Sequence, residues 1–148
     1  MIGKAMRLRF VFRTFLICSV LSSGCSEKQR GGPRLTTTPV TGTVEVDGEA
    51  AENLTVECHP EPGAEIKHPV IANTDSEGRF SIGMYQKGDG LPEGTYRLTF
   101  KWEEFGLPIK DKLNRAFADP SKSSYKVTVV AGEPNDLGVI ELSTKSSK

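Results

Sequence analysis

From Val40 onward, apolar residues recur at every second position, and that period restricts the chain to half-buried β-strands. The clearest run is 95–102: Tyr96, Leu98, Phe100 and Trp102 share one side, and Thr95, Arg97, Thr99 and Lys101 the other. Val40, Val44 and Val46 alternate in the same way and share their face with Gly42. So do Leu54, Val56 and Cys58, then Phe80, Ile82 and Met84, then Tyr125, Val127 and Val129. "PVIANT" adds a short run, and "LGVIEL" closes the series with its register open, because Val139 and Ile140 are adjacent. Turn residues separate the runs at Asp47-Gly48, Ser76-Glu77-Gly78, Asp89-Gly90, Glu93-Gly94, Gly132 and Asn135-Asp136. About seven short strands, mostly antiparallel, predict an all-β sandwich.

The segment 107–124 does not follow this pattern. Ile109, Leu113, Ala116 and Phe117 have helical spacing, Pro108 suits a first turn, and Asp119-Pro120 would end it. The segment reads either as a short helix or as a long crossing loop, and the sequence leaves the two open.

The residues before the strands have a different character. Lys4, Arg7, Arg9 and Arg13 are the only charges ahead of Cys25, and the run "TFLICSVL" is apolar or small. Ser22, Ser23 and Gly24 follow it. A basic start, a short apolar run and a small-residue end predict an export signal over 1–24. The run is shorter than the ~20 residues a spanning helix needs.

"VLSSGC" resembles the lipobox of bacterial lipoproteins, although Ser22 stands where Leu is usual and Leu21 lies one position earlier. The resemblance implies cleavage between Gly24 and Cys25 and lipid on Cys25, hence a membrane partner through a lipid anchor. Several acyl chains hold firmly where one is marginal. Ser26 in place of Asp implies the outer membrane in bacteria that sort by that position. Residues 25–38, with Gly31-Gly32-Pro33 and a threonine run, are expected to form a flexible tether. The domain is expected over 39–142, followed by a disordered tail over 143–148.

Of the three cysteines, Cys18 would leave with the signal and Cys25 would take lipid, so Cys58 has no partner for an intramolecular disulfide. Removing 24 residues from 148 leaves 124, one domain's worth. Removing four of the 19 basic residues leaves 15 against 19 acidic ones, a net charge near −4. Nucleic-acid binding needs a basic footprint and is not expected.

Three segments resemble carboxypeptidase-regulatory-like domains: "VTGTVEVDGEAAENLTVEC", "NTDSEGRFSI" with its Thr-Asp-x-x-Gly-x-Phe element, and "LPEGTYRLTF". "FADPSKSSYKVTVVAGEPNDLGVIEL" resembles the closing part of small envelope lipoproteins carrying this domain. The resemblance implies a transthyretin-like, seven-stranded Greek-key β-sandwich and says almost nothing of function. Its motifs have structural reasons. The Asp75 carboxylate can accept a backbone N–H two or three residues on, Gly78 can take positive φ, and Phe80 can plug the core.

Candidate sites are weak beside these structural roles. Cys58 and His59 are strand neighbours and point to opposite faces, so together with His68 they do not specify a metal site. Asp75, Glu77 and Asp89 could bind Ca²⁺ only if two loops met, and they read better as turn residues. No Gly-x-Ser-x-Gly occurs. The "ELSTKSSK" ending lacks the Tyr-Arg-Gly-Ser tail of hydroxyisourate hydrolases, and both histidines precede all three tyrosines, unlike intradiol dioxygenases. Neither enzyme activity nor a cofactor or metal is expected, and Cys58 is expected to be a buried, inert thiol. The candidate ligand-facing aromatics are Tyr85, Trp102 and Phe105, though Trp102 is in phase with the core. The expected role is a structural or protein-interaction module in the cell envelope, in the periplasm or at the cell surface. The alternative is a carbohydrate-binding, starch-binding-like module with an exposed aromatic. The partner, an envelope protein or a glycan, and the oligomeric state are left open.

Overall fold

Strand β1 (Val40–Val46) alternates buried and half-exposed residues from end to end and forms the centre of the first sheet. The computed structural model of the chain describes residues 33–104 and 106–145, and the observations that follow concern these. Gly24 and Cys25, at the expected cleavage and lipidation site, and the candidate aromatic Phe105 lie outside them.

The Asp47-Gly48 pair, with φ of 53° and 86°, turns β1 into the two-residue strand β2 (Glu49–Ala50). Two left-handed residues in a two-residue loop match the natural strand twist. Next come β3 (Thr55–Pro60), β4 (Val70–Asn73), β5 (Arg79–Ser81) and β6 (Gly94–Lys101). They are followed by β7 (Glu103–Glu104), β8 (Lys110–Asp111), β9 (Lys126–Val129) and β10 (Asn135–Leu142). The first sheet has β10 on one side of β1 and both β2 and β5 on the other. The second runs β4-β3-β6-β9, and β7 and β8 form a separate ribbon. Neither main sheet follows chain order, so the connections cross from one sheet to the other. The seven runs of the sequence all become strands, and the fold is an all-β sandwich.

The core lies between the two sheets. Val40, Val44, Phe80, Ile140 and Leu142 come from the first, and Val56, Cys58, Tyr96, Leu98, Phe100 and Val127 from the second. Gly42 has a packing reason. Its cross-strand partner is Phe80, and a Cβ at Gly42 would lie 2.8 Å from the Phe80 ring. The glycine leaves room for the aromatic plug.

Four points that the sequence left open or placed differently are settled by the structure. Segment 107–124 forms no helix. Asn114 and Arg115 have φ of 51° and 60°, outside the helical region. The Asp111 carboxylate instead gathers the backbone N–H groups of Trp102, Leu113 and Arg115 at 2.9–3.0 Å. Leu113 is buried, but Ile109 and Ala116 are exposed, so the helical stripe never forms. Second, Asn135-Asp136 opens β10 rather than making a turn. Third, β10 pairs with β1 in parallel. The register slips between Thr41 and Thr43, opposite Gly138 with φ of 63°. This bulge resolves the ambiguous closing run: Ile140 and Leu142 turn inward and Val139 is 56% exposed. Fourth, the end of the expected tether is bound to the domain. Thr38 is buried and pairs with Leu91 through both backbone hydrogen bonds, at 2.8 and 3.0 Å.

The chain passes from the second sheet to the first at residues 74–78. The buried Thr74 hydroxyl donates to the Ala51 carbonyl and accepts the Leu54 N–H at 2.8 Å. Asp75 Oδ1 accepts the N–H groups of Glu77 and Arg79, each at 2.9 Å. These bonds, led by that from Arg79, hold the Asp75 carboxyl below the usual carboxylate range. Gly78, at φ of 74°, brings its carbonyl to the Val44 N–H at 2.8 Å. Thr74→Val keeps the shape but orphans a buried donor and acceptor, an expected loss of ~1–3 kcal/mol. Urea titration checks this: the midpoint should fall with the slope unchanged. An unaltered midpoint would contradict the assignment.

Candidate functional site

Strand β4 forms an outer edge of the second sheet, with β3 on one side and, among the described residues, no strand on the other. Thr74 sets the direction of its backbone groups. Its N–H bonds to the Leu54 carbonyl and its carbonyl accepts the Asn53 N–H, so both face β3. Alternation then turns the N–H and C=O of Ala72 and Val70 toward β3, and those of Ile71 and Asn73 outward.

Two hollows border this edge, and Ile71 and Gly83 line both. One, of about 550 Å³, is walled by Ile66, Pro69, Val70 and Met84, with Lys67 and His68 as its only charged or titratable members. The other, of about 600 Å³, carries the hydroxyls of Thr41, Thr43 and Ser81, the Asn73 side chain, Arg79 and Lys87. Its two carboxylates already hold backbone donors: Asp75 as described, and Asp136, which accepts the Gly138 N–H at 3.0 Å. Lys87 has no ion-pair partner among the described residues, whereas Arg79 meets Glu77 at 2.8 Å. The sequence carries a trace of this edge. Val70, Ile71 and Ala72 are consecutive apolar residues, so β4 is apolar on both faces, and Ile71 is 55% exposed.

Of the aromatics singled out in the sequence, Tyr85 and Trp102 each have partners within the domain. The Tyr85 hydroxyl accepts the Leu35 N–H at 3.0 Å, and the Arg34 guanidinium lies 5.3 Å from its ring centre. Trp102 is half-buried against the core, as its phase indicates; its Nε1 donates to the Glu52 carbonyl at 2.9 Å. The Lys112 ammonium sits 4.3 Å from the Trp102 ring centre. Tyr85 lies in the loop between β5 and β6, and Trp102 just past the end of β6.

The other candidates have structural partners. Cys58 is fully buried, and burial pushes its thiol up to about 12. His59 faces the opposite way, with Nε2 at 2.8 Å from the Thr99 hydroxyl and 3.3 Å from Glu57. Asp89 accepts the N–H groups of Met84, Tyr85 and Gln86 at 2.7–3.0 Å, which makes it a loop clamp. Among the described residues, no three His, Cys, Asp or Glu side chains are grouped to hold a metal ion. No helix among them is long and apolar enough to cross a membrane.

The outer face of the second sheet neutralises itself. Glu57 meets Lys101 at 2.8 Å, and Glu61 meets Arg97 at 2.6 Å and Lys126 at 2.7 Å. Hydrogen bonds from Lys126 and then Arg97 hold the Glu61 carboxyl below its ordinary value. A depressed carboxylate stabilises the fold above its unfolded-state pKa, and the gain disappears as pH falls through the folded value. Glu61→Gln should therefore lower Tm at neutral pH, and the gap to wild type should close as acidification protonates the Glu61 carboxyl in the folded state. Calorimetry across pH checks this, and a gap independent of pH would contradict it.

No family model matches the sequence, and no curated protein matches it. Several solved structures do. A DUF3823 family protein from Bacteroides ovatus is 17% identical with a TM-score of 0.41, over 72% of this chain and 44% of that one. A DUF3823 family protein from Parabacteroides merdae is 15% identical with a TM-score of 0.40, over 74% and 46%. An (S)-allantoin synthase is 20% identical with a TM-score of 0.45, over 75% and 42%. The chain thus spans less than half the length of each.

Proposed function

We propose that this chain is a lipid-anchored, non-enzymatic protein of the cell envelope whose β-sandwich, of the carboxypeptidase-regulatory-like, transthyretin-like type, serves as a protein-interaction module. One observation carries the module reading. Several side chains with the chemistry for catalysis hold the fold, while the edge of β4 has backbone groups directed outward beside two hollows. Asp75, Asp89 and Asp111 clamp backbone N–H groups, and Cys58 is sealed in the core. An exposed edge is a ready template for another chain.

The anchor rests on "VLSSGC" and on the basic and apolar run ahead of it. Ser26 favours the outer membrane, with the domain in the periplasm or at the cell surface. An envelope protein fits this surface better than a glycan: Lys112 lies over Trp102, Tyr85 is held by Leu35, and a sugar platform needs an open ring face. A net charge near −4 after processing disfavours nucleic acid.

Expression in a Gram-negative host with labelled palmitate, followed by fractionation, tests the anchor. Wild type should carry label and sediment with membranes, and its mass should place Cys25 first. Cys25→Ala should lose the label and move to the soluble fraction. Wild type that stays unlabelled and soluble would overturn the anchored reading.

A further inference from the structure

We infer that the exposed apolar loop at the tip of the β7–β8 ribbon inserts into the lipid surface on which the chain is anchored, a second membrane contact besides Cys25. The inference rests on the anchored reading and goes beyond it, because it names the part of the domain that meets the bilayer. It begins with exposure. Gly106, Leu107, Pro108 and Ile109 are consecutive, uncharged and all exposed. Leu107 is 104% exposed and Ile109 61%, the two most exposed large hydrophobic residues among those described. Contiguous apolar exposure of this kind marks a contact site. The base beneath the loop is held in place. Glu103 pairs with Asp111 and Glu104 with Lys110 across the ribbon. The Lys112 N–H donates to the Trp102 carbonyl at 2.8 Å, the Trp102 N–H to Asp111 at 3.0 Å, and the Trp102 indole to Glu52 at 2.9 Å. The ribbon thus presents Leu107 and Ile109 away from the core on a fixed support.

Size, charge and reach favour a lipid surface over a protein. Leu107, Pro108 and Ile109 supply far less than the ~800 Å² that each partner buries in a stable protein complex. A bilayer takes such a loop without a matching pocket, and its affinity grows with the apolar area buried. Glu103 and Glu104 stand beside Lys110 and Arg115, so the charges around the ribbon nearly balance and the contact is apolar rather than electrostatic. A weak contact is enough, because a short tether holds the surface at a local concentration of roughly millimolar. With lipid on Cys25, that tether is residues 25–32, eight in all, which span up to ~28 Å. The described chain enters near the start of β6, where Thr38 pairs with Leu91, and the ribbon follows the end of that strand. β6 has eight residues and is ~26 Å long. The tether is therefore long enough for the sandwich to lie along the bilayer with the loop in contact.

Trp102, at the base of the ribbon, is the single tryptophan and reports on the loop. The lipidated protein from the host is reconstituted in vesicles of phosphatidylethanolamine and phosphatidylcholine, with and without a nitroxide on the phosphatidylcholine headgroup. Headgroup nitroxide should quench Trp102 in wild type, and high salt should leave the quenching unchanged, because screening acts on charges and not on an apolar contact. The double variant Leu107→Glu, Ile109→Glu should lose most of the quenching, with unchanged circular dichroism and with its lipid and its sedimentation kept. Should that variant not fold, Leu107→Asp alone replaces it: the side chain is fully exposed, and the fall in quenching should be in the same direction. The proposal is overturned if wild type is not quenched, if the folded variant is quenched as strongly, or if high salt abolishes the effect. A dimer of Cys25→Ala protein in light scattering that Leu107→Asp dissolves would assign the loop to a second copy and also overturn it. Failure of the anchor is read apart, as wild type without label. The same quenching is then measured on that soluble protein in excess vesicles, where loss in the variant supports the loop contact and an unquenched wild type overturns it.

Discussion

The corner at residues 74–78 is the constraint on which the rest of this sandwich depends. A buried hydroxyl, one carboxylate and one glycine act there together. Thr74 ties the end of β4 to Ala51 and Leu54, Asp75 closes the turn on Glu77 and Arg79, and Gly78 binds Val44 in the opposite sheet. A Cβ at Gly78 would lie 2.5 Å from the Val44 carbonyl oxygen, so a side chain there would drive the sheets apart. The same corner sends Phe80 over Gly42 into the core. The chain leaves the second sheet immediately after β4, and the later strands β6 and β9 rejoin it on the far side of β3, so among the described residues none pairs on the other side of β4.

Short carboxylates do much of the remaining work. Asp89 and Asp111 each satisfy three backbone N–H groups of irregular loops, donors that would otherwise have only water. Asp111 lets 107–124 follow a course of turns that returns to the sheet, where the Phe117 carbonyl accepts the Phe100 N–H and the Tyr125 carbonyl accepts that of Leu98. Phe100 and Tyr125 then meet edge to face with ring centres 5.1 Å apart. With these groups committed to loops, the outward chemistry of the domain lies in backbone edges and exposed cations.

Much of the architecture was legible in the alternation, because a strand buried on one face leaves a period of two in its side chains. Asp47-Gly48 and 74–78 were equally readable, since their residue types answer local backbone needs. The parallel pairing of β1 with β10 was not, because no local signal records which distant strand lies alongside. The closing register needed the bulge at Gly138, and a single glycine does not announce which way the phase will slip. Segment 107–124 stayed open because Ile109, Leu113 and Ala116 match a helix by count, while Asp111 offers the backbone a competing set of bonds. Trp102 was read correctly as in phase with the core, but its partners Lys112 and Glu52 are set by tertiary contact. The β4 edge appeared only as three successive apolar residues, a pattern that a buried central strand shares.

Amide hydrogen exchange along β4 in the free protein tests the central claim most directly, that the corner leaves this strand paired on one side only. The N–H groups of Val70 and Ala72 should exchange slowly, and those of Ile71 and Asn73 at rates close to those of exposed loops. Four slowly exchanging amides would mean that the edge is already covered, and would contradict the account.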